Sequence, residues 1–313
     1  MKTILFAAAL LLLAVTSAQA VDCAAPANDS EKILCSDAQL QALELTLGNA
    51  LKVALDNSRV PDRDAITANQ QDFIDTRSSD CEVDGNGEPQ TPDAMRQCLL
   101  DETDNRIKYL TGLPLEGSGA ADPMVPQIFA GQDGIFVTAI RFVDPKTPGE
   151  KLFNRLVYEK LKDIHVAKDS DDFSDYFALT LQYASPTLIS ANIDLSYLGP
   201  SHPHPMPYNF AINIDLATGK ELTMADALTK AQIKTLQKQC EGQLADYLSP
   251  HEAGAAQRKD DVDGMVADLS HWTFGARQVV IADTNYFVEQ PYTCTIGYEM
   301  LRPLLKAGFP LPE

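Results

Sequence analysis

Residues 188–220 constrain this chain most, because two long alternating runs of opposite parity stand on either side of one connection. From Ile189 the odd positions are apolar (Ile189, Ala191, Ile193, Leu195, Tyr197) and the even ones polar (Ser190, Asn192, Asp194, Ser196), the period of a half-buried strand. The second run inverts this: Met206, Tyr208, Phe210, Ile212, Ile214 and Leu216 are apolar, with Asn209, Asn213 and Asp215 between them. Folded back as a hairpin, the two runs bury one face and leave the other polar. Ala217-Thr218-Gly219-Lys220 then closes the pattern as a turn. An antiparallel sheet must therefore lie at the centre of this half of the molecule.

The connection between the strands, Gly199 to Pro207, holds four prolines and two of the five histidines. Each proline fixes its own φ and pushes the preceding residue towards extended backbone, so ordering this segment against a partner costs little entropy. A recognition element is expected here, with Tyr197, Gly199, Ser201, His202, His204 and Met206 as candidate partner-binding residues. The plainer reading is a proline-rich hairpin loop. The residues Ser190, Tyr197, Gly199-Pro200-Ser201-His202, Asn213-x-Asp215, Thr218-Gly219-Lys220 and Asp226 resemble the extracellular domain of RsiV-type anti-sigma factors. Pro200 and Ser201 stand where that family usually has a glycine and an alanine. The resemblance implies a lysozyme-receptor domain.

Residues 1–20 read as a secretory signal peptide, with Lys2 at the charged end, Ile4 to Val15 as the apolar core and Ala18-Gln19-Ala20 as the cleavage site. No later run approaches the ~20 apolar residues of a membrane span, so a periplasmic or secreted protein is expected. Lys2 is the one charged residue of the leader, which leaves 24 basic against 44 acidic residues in the mature chain. That balance argues against nucleic acid and anionic lipid as partners and favours a cationic exported protein. Acidity as a simple aid to solubility is the rival explanation.

Six cysteines in an exported chain imply three disulfides, grouped as four (Cys23, Cys35, Cys81, Cys98) and two (Cys240, Cys294). The even split points to two domains. In residues 21–112 three amphipathic helices are expected. The first, capped at Asp29 or Ser30, carries Ile33, Leu40, Leu43, Leu47, Leu51 and Ala54 and stops before Pro61. The second runs from about Asp62 to Ser79. The third starts with Thr91 as cap and Pro92 in its first turn and ends at Gly112. If the first two are antiparallel, Cys81 returns beside Cys35, which favours Cys35 with Cys81 and Cys23 with Cys98; the other two pairings stay open. Cys23, Glu31, Cys35, Leu40, Leu43, Gln70-x-x-Phe73-Ile74-x-x-Arg77, Cys81, Cys98-Leu99, Thr103, Arg106-Ile107 and Leu110 resemble the small helical domain of the LprI lysozyme-inhibitor family, with Phe73 where that family often has Trp. The resemblance implies its fold, and a lysozyme-type muramidase as partner.

Residues 113–126 are rich in Gly, Pro and Ala and read as a linker. In residues 127–313 a strand is expected at 134–142, a helix at 148–165, a strand at 177–183, the hairpin, helices at 223–228 and 231–248, and strands at 278–282 and 292–296, with Cys294 tied to Cys240. The whole is an α+β chain: a small disulfide-stapled three-helix domain, then an antiparallel sheet with helices on one face.

Catalytic patterns are missing from the sequence. His251-Glu252 has Ala255 where a zincin needs its second histidine. Gly117-Ser118-Gly119 lacks nucleophile-elbow spacing, and every cysteine has a prospective partner. The acidic loop Asp80 to Gly87 lacks the closing acid of an EF-hand, and His202-x-His204 has no third ligand. No catalytic residue, metal or cofactor is assigned. The expected function is lysozyme binding or inhibition in the periplasm. A structural or sensing protein of the envelope that binds peptidoglycan or another exported protein without inhibiting it is the alternative, and an uncharacterised hydrolase a third.

Overall fold

Asn28 and Asp37 decide how the N-terminal helices begin. The Asn28 side chain accepts from the Glu31 amide at 2.8 Å and caps α1 (Asp29–Ser36). Asp37 Oδ1 accepts from the amides of Gln39 and Leu40 at 2.8 and 3.0 Å and caps α2 (Ala38–Asp56). The single helix expected over this stretch is therefore two, because a carboxylate that satisfies amides of the next helix supports extended backbone at its own position. The computed structural model describes residues 23–58, 60–84, 87–130, 136–162, 175–197, 206–247, 255–282 and 292–312, so the leader lies outside it.

Helix α3 (Val60–Glu82) begins earlier than expected, with Pro61 in the first turn, where its missing N–H has no helical acceptor to lose. Helix α4 (Pro92–Thr111) is capped by Thr91 and ends on Gly112 at φ 67°. A Cβ on Gly112 would fall 2.1 Å from the Met124 carbonyl oxygen, so only glycine lets the next strand start so close to the helix end.

The cystines correct the favoured pairing. Cys23 bonds Cys35 and Cys81 bonds Cys98, with Cα separations of 5.3 and 5.6 Å. The start of α1 does lie beside the end of α3, since the Ser30 hydroxyl donates to the Ser78 carbonyl at 3.0 Å. But α1 ends at the Asp37 break, so Cys35 meets the segment that precedes its own helix. Cys81, fully buried with Leu40, Met95 and Leu99, turns to α4 instead. The third pair, Cys240–Cys294, forms as expected.

A six-stranded sheet follows: β1 (Met124–Ala130), β2 (Phe136–Phe142), β3 (Asp175–Ala184), β4 (Leu188–Tyr197), β5 (Met206–Asp215) and β6 (Lys220–Glu221), in sequential order. All neighbours are antiparallel except β2 and β3, whose connection contains α5 (Pro148–Lys162) and so returns the chain in the same direction. The hairpin has the register its parity predicts, with Ile189 opposite Ile214, Ala191 opposite Ile212 and Ile193 opposite Phe210. These residues, with Phe177, Leu179 and Leu181, pack against Phe153 and Val157 of α5. On β1, which begins within the range read as linker, Ile128 joins Leu47, Leu51, Ile66 and Leu110 in the helical core. The Leu115 and Glu116 amides donate to the Leu181 and Gln182 carbonyls, both at 2.9 Å.

The last third contains α6 (Met224–Ala227), α7 (Lys230–Tyr247), α8 (Ala255–Val266), a three-stranded antiparallel sheet of β7 (Trp272–Phe274), β8 (Gln278–Ala282) and β9 (Thr293–Gly297), and α9 (Tyr298–Leu301). Trp272, Phe274, Val279, Ile281 and Ile296 build a core with Leu236 of α7 and Val266 of α8. The chain is thus α+β: a cystine-stapled helical region, then sheets with helices.

Candidate functional site

Tyr197 and Met206 are the terminal register partners of the β4–β5 hairpin. Gly199, Ser201, His202 and His204 lie between them in sequence and outside the described residues. The hairpin therefore presents two paired strand ends, at the point where the sequence places the proline-rich segment.

The other residues that carry the receptor-domain resemblance serve the fold. Ser190 and Asn213 are fully buried, although their alternation read as a solvated face. Asn213 Nδ2 donates to the Trp272 carbonyl at 2.8 Å and the Leu269 carbonyl at 3.2 Å, and the Ser190 hydroxyl accepts from the Phe274 amide at 2.9 Å. Asp215 Oδ1 accepts from the amides of Ala217 and Thr218 and shapes the turn before β6. Thr223 and Asp226 form a capping box on α6, and the Thr223 hydroxyl bond holds the Asp226 carboxyl below its ordinary range.

In the helical region the motif residues converge on one buried polar stack. Two guanidinium groups pack on the ring of Phe73, with Arg77 Cζ 5.1 Å and Arg106 Cζ 5.2 Å from its centroid, and Arg106 is also 5.4 Å from the ring of Tyr109. Arg77 Nη1 donates to Glu44 Oε1 and to the Thr103 hydroxyl, both at 2.6 Å. Arg106 Nε and Nη1 donate to Gln70 Oε1 and Asn69 Oδ1, both at 2.8 Å. Burial lowers the Arg106 pKa to about 10 and raises that of the Tyr109 hydroxyl, which donates to the Ala139 carbonyl of β2. Gln70, Phe73, Arg77, Thr103 and Arg106, read from sequence as a motif, are thus one structural unit that locks α2, α3 and α4 together. Glu44, Asn69 and Tyr109 were missed. Glu44 carried a signal, being an acid one turn beyond Leu40 on a helix whose apolar stripe it adjoins.

The stack lies in the region that matches a family model. Residues 22–110 match the family model described as Lysozyme inhibitor LprI, which covers less than a third of the chain. A DUF3298-family protein from Pseudomonas aeruginosa PAO1 aligns with 59% of this chain and 94% of its own, at 15% identity and a TM-score of 0.41. A DUF3298-family member from Bacteroides fragilis NCTC 9343 aligns with 50% of this chain at 16% identity and a TM-score of 0.36, and the alignment spans 64% of that protein's length. Likenesses this distant carry no functional inference. No curated protein matches the chain. Among the described residues no helix is long and apolar enough to cross a membrane.

Proposed function

We propose that this chain is an exported binding protein that captures and inhibits a lysozyme-type muramidase in the periplasm. The observation that carries the proposal is the match of residues 22–110 to the Lysozyme inhibitor LprI model. Charge supports it, since 44 acidic residues against 24 basic ones after the leader would steer a basic enzyme towards the chain and make association salt-sensitive. In this reading residues 21–112 and 127–313 act as two domains joined by 113–126, the second a receptor-like domain. The segment from Gly199 to Pro207 enters the enzyme's cleft from the paired ends Tyr197 and Met206, with His202 or His204 reaching the catalytic carboxylates. No bond chemistry is assigned to the chain itself.

The test is a titration of the purified mature chain against lysozyme activity, run beside retention on immobilised lysozyme and on isolated sacculi. Inhibition near stoichiometry, weakened by salt, is the expected result. Retention on sacculi with no effect on the enzyme would replace the proposal with the envelope-binding alternative. Replacing His202 and His204 together by Ala is expected to weaken inhibition at least tenfold. Undiminished inhibition by that variant would remove the loop from the interface and leave the binding reading standing.

A further inference from the structure

Between α4 and the strands β2 and β3 lies an open cleft of about 350 Å³. Its helix wall is one face of α4, with Glu102, Arg106 and Tyr109 at spacings of four and three. The opposite wall is sheet, around Ile140, Ala178 and Thr180. Leu113, half exposed, and Leu115 line the cleft between these walls and extend its apolar surface towards solvent.

The unusual component is the charge on the helix wall. Arg106 is only 8% exposed, yet its hydrogen-bond partners, Gln70 and Asn69, are neutral amides. Its Nη2 makes no hydrogen bond, and no carboxylate among the described residues pairs with it. Arg77, which packs on the same phenyl ring, has Glu44 as counter-ion. A guanidinium stays protonated at any physiological pH, and a buried charge without an opposite charge is costly. In a strongly acidic chain, this cleft combines an apolar surface with a buried cation that has two aromatic rings and the more distant charge of Asp72 near it but no carboxylate in hydrogen-bonding contact. Nη2 is screened from water, so an anion in the cleft is attracted to the guanidinium through the intervening protein while Nε and Nη1 keep their bonds to Gln70 and Asn69.

We propose that the cleft binds a small organic carboxylate with an apolar body, its charge against Arg106 and its hydrocarbon along Ile140, Leu113 and Leu115. Glu102, exposed on the same helix face, sets the number of charges, since its own carboxylate repels a ligand with a second anionic group. A carboxylate of this kind could come from a medium-length acyl chain or from the apolar C-terminal residue of a short peptide. The site is separate from the muramidase reading and depends on no part of it.

The test follows the amide resonances of Thr138 and Thr180 in the full mature chain during titration with octanoate below its micellar concentration, N-acetyl-leucine and octylammonium. Saturable shifts with octanoate or N-acetyl-leucine, and none with octylammonium, are expected; which carboxylate binds tells the acyl source from the peptide source. Ala178→Leu, which fills the sheet wall and leaves the guanidinium stack untouched, is expected to weaken binding at least tenfold. Arg106→Met is expected to abolish it in a chain that stays folded by circular dichroism; if that variant unfolds, Ala178→Leu and octylammonium still decide. Absence of shifts with both carboxylates, equal binding of octylammonium, or full binding by Ala178→Leu would overturn the proposal.

Discussion

Ser190 and Asn213, facing each other on β4 and β5, share a 2.7 Å hydrogen bond and together fasten the large sheet to the small one. The hydroxyl receives the Phe274 amide, and the Asn213 amide group donates to two carbonyls, at Leu269 and Trp272. Four hydrogen bonds are made around two fully buried side chains, so the pair acts as a polar joint between apolar layers.

Asn213→Ala is therefore expected to destabilise the fold by about 3 kcal/mol, since it takes the side-chain donor from the buried Trp272 carbonyl and the acceptor from the buried Ser190 hydroxyl, while the Leu269 carbonyl keeps the Trp272 N–H. Trp272 is the only tryptophan, fully buried and itself one of the acceptors, so its fluorescence reports this joint directly. The denaturant midpoint read by that signal should fall. An unchanged midpoint would show that the joint contributes nothing net.

Arg77 and Glu44 give a second expectation. The guanidinium side chain is 1% exposed and the carboxylate 22%, so loss of the acid strands a buried cation while loss of the base leaves a carboxylate that water reaches. Glu44→Ala should cost about 3 kcal/mol in urea unfolding, and Arg77→Met, which refills the space with an apolar chain, clearly less. The reverse order would mean that Thr103 and the Phe73 ring hold Arg77 without help from Glu44.

These two clusters show where sequence reasoning reached and where it stopped. Period-two alternation fixed the hairpin register, because a slip of one residue would turn Ile189, Ala191 and Ile193 to the wrong face. The same alternation could not show that Ser190 and Asn213 face a second sheet, since that burial arises from β7, some sixty residues further along the chain. Asp37 was legible as a capping residue type but stood inside an unbroken apolar period. There it caps one helix and ends another, and its Oδ2 also accepts from Arg96 Nε on a third helix at 2.6 Å, a contact that no local pattern displays. The cystine pairing failed for the same reason. Of the expected partner-binding residues, Tyr197 and Met206 are brought together as a pair.

The cystines can be ranked as well as mapped. Peptide mapping under non-reducing conditions should return Cys23–Cys35, Cys81–Cys98 and Cys240–Cys294, and any peptide linking Cys35 to Cys81 would contradict the fold. Loop-closure entropy rises with loop length, so the bridge across 54 residues is worth about 4 kcal/mol and the one across 17 about 3 kcal/mol. Replacing Cys240 and Cys294 by Ser should lower the thermal midpoint more than replacing Cys81 and Cys98.

Glu102 offers a pH signature that no purely packing role would produce. Loss of water contact, then the charges of Asp80 and Asp101, raise its carboxyl above the ordinary 4.5, against a smaller opposing pull from Arg77. A folded-state pKa above the unfolded one means that the native chain holds the proton more firmly. Stability therefore falls as pH rises from about 4.5 through the folded value, and the ionised carboxylate stays a burden above it. Glu102→Gln removes that burden, so the variant should melt higher than the parent at pH 7, by less than about 1 kcal/mol because water screens the exposed side of the group. Near pH 4 the Glu102 carboxyl is largely protonated in the folded and the unfolded chain alike, and the two melting curves should converge. A difference that stayed constant between pH 4 and pH 7, or one that favoured the parent at pH 7, would place the effect in packing against the cleft and not in the charge that Glu102 shares with Asp80 and Asp101.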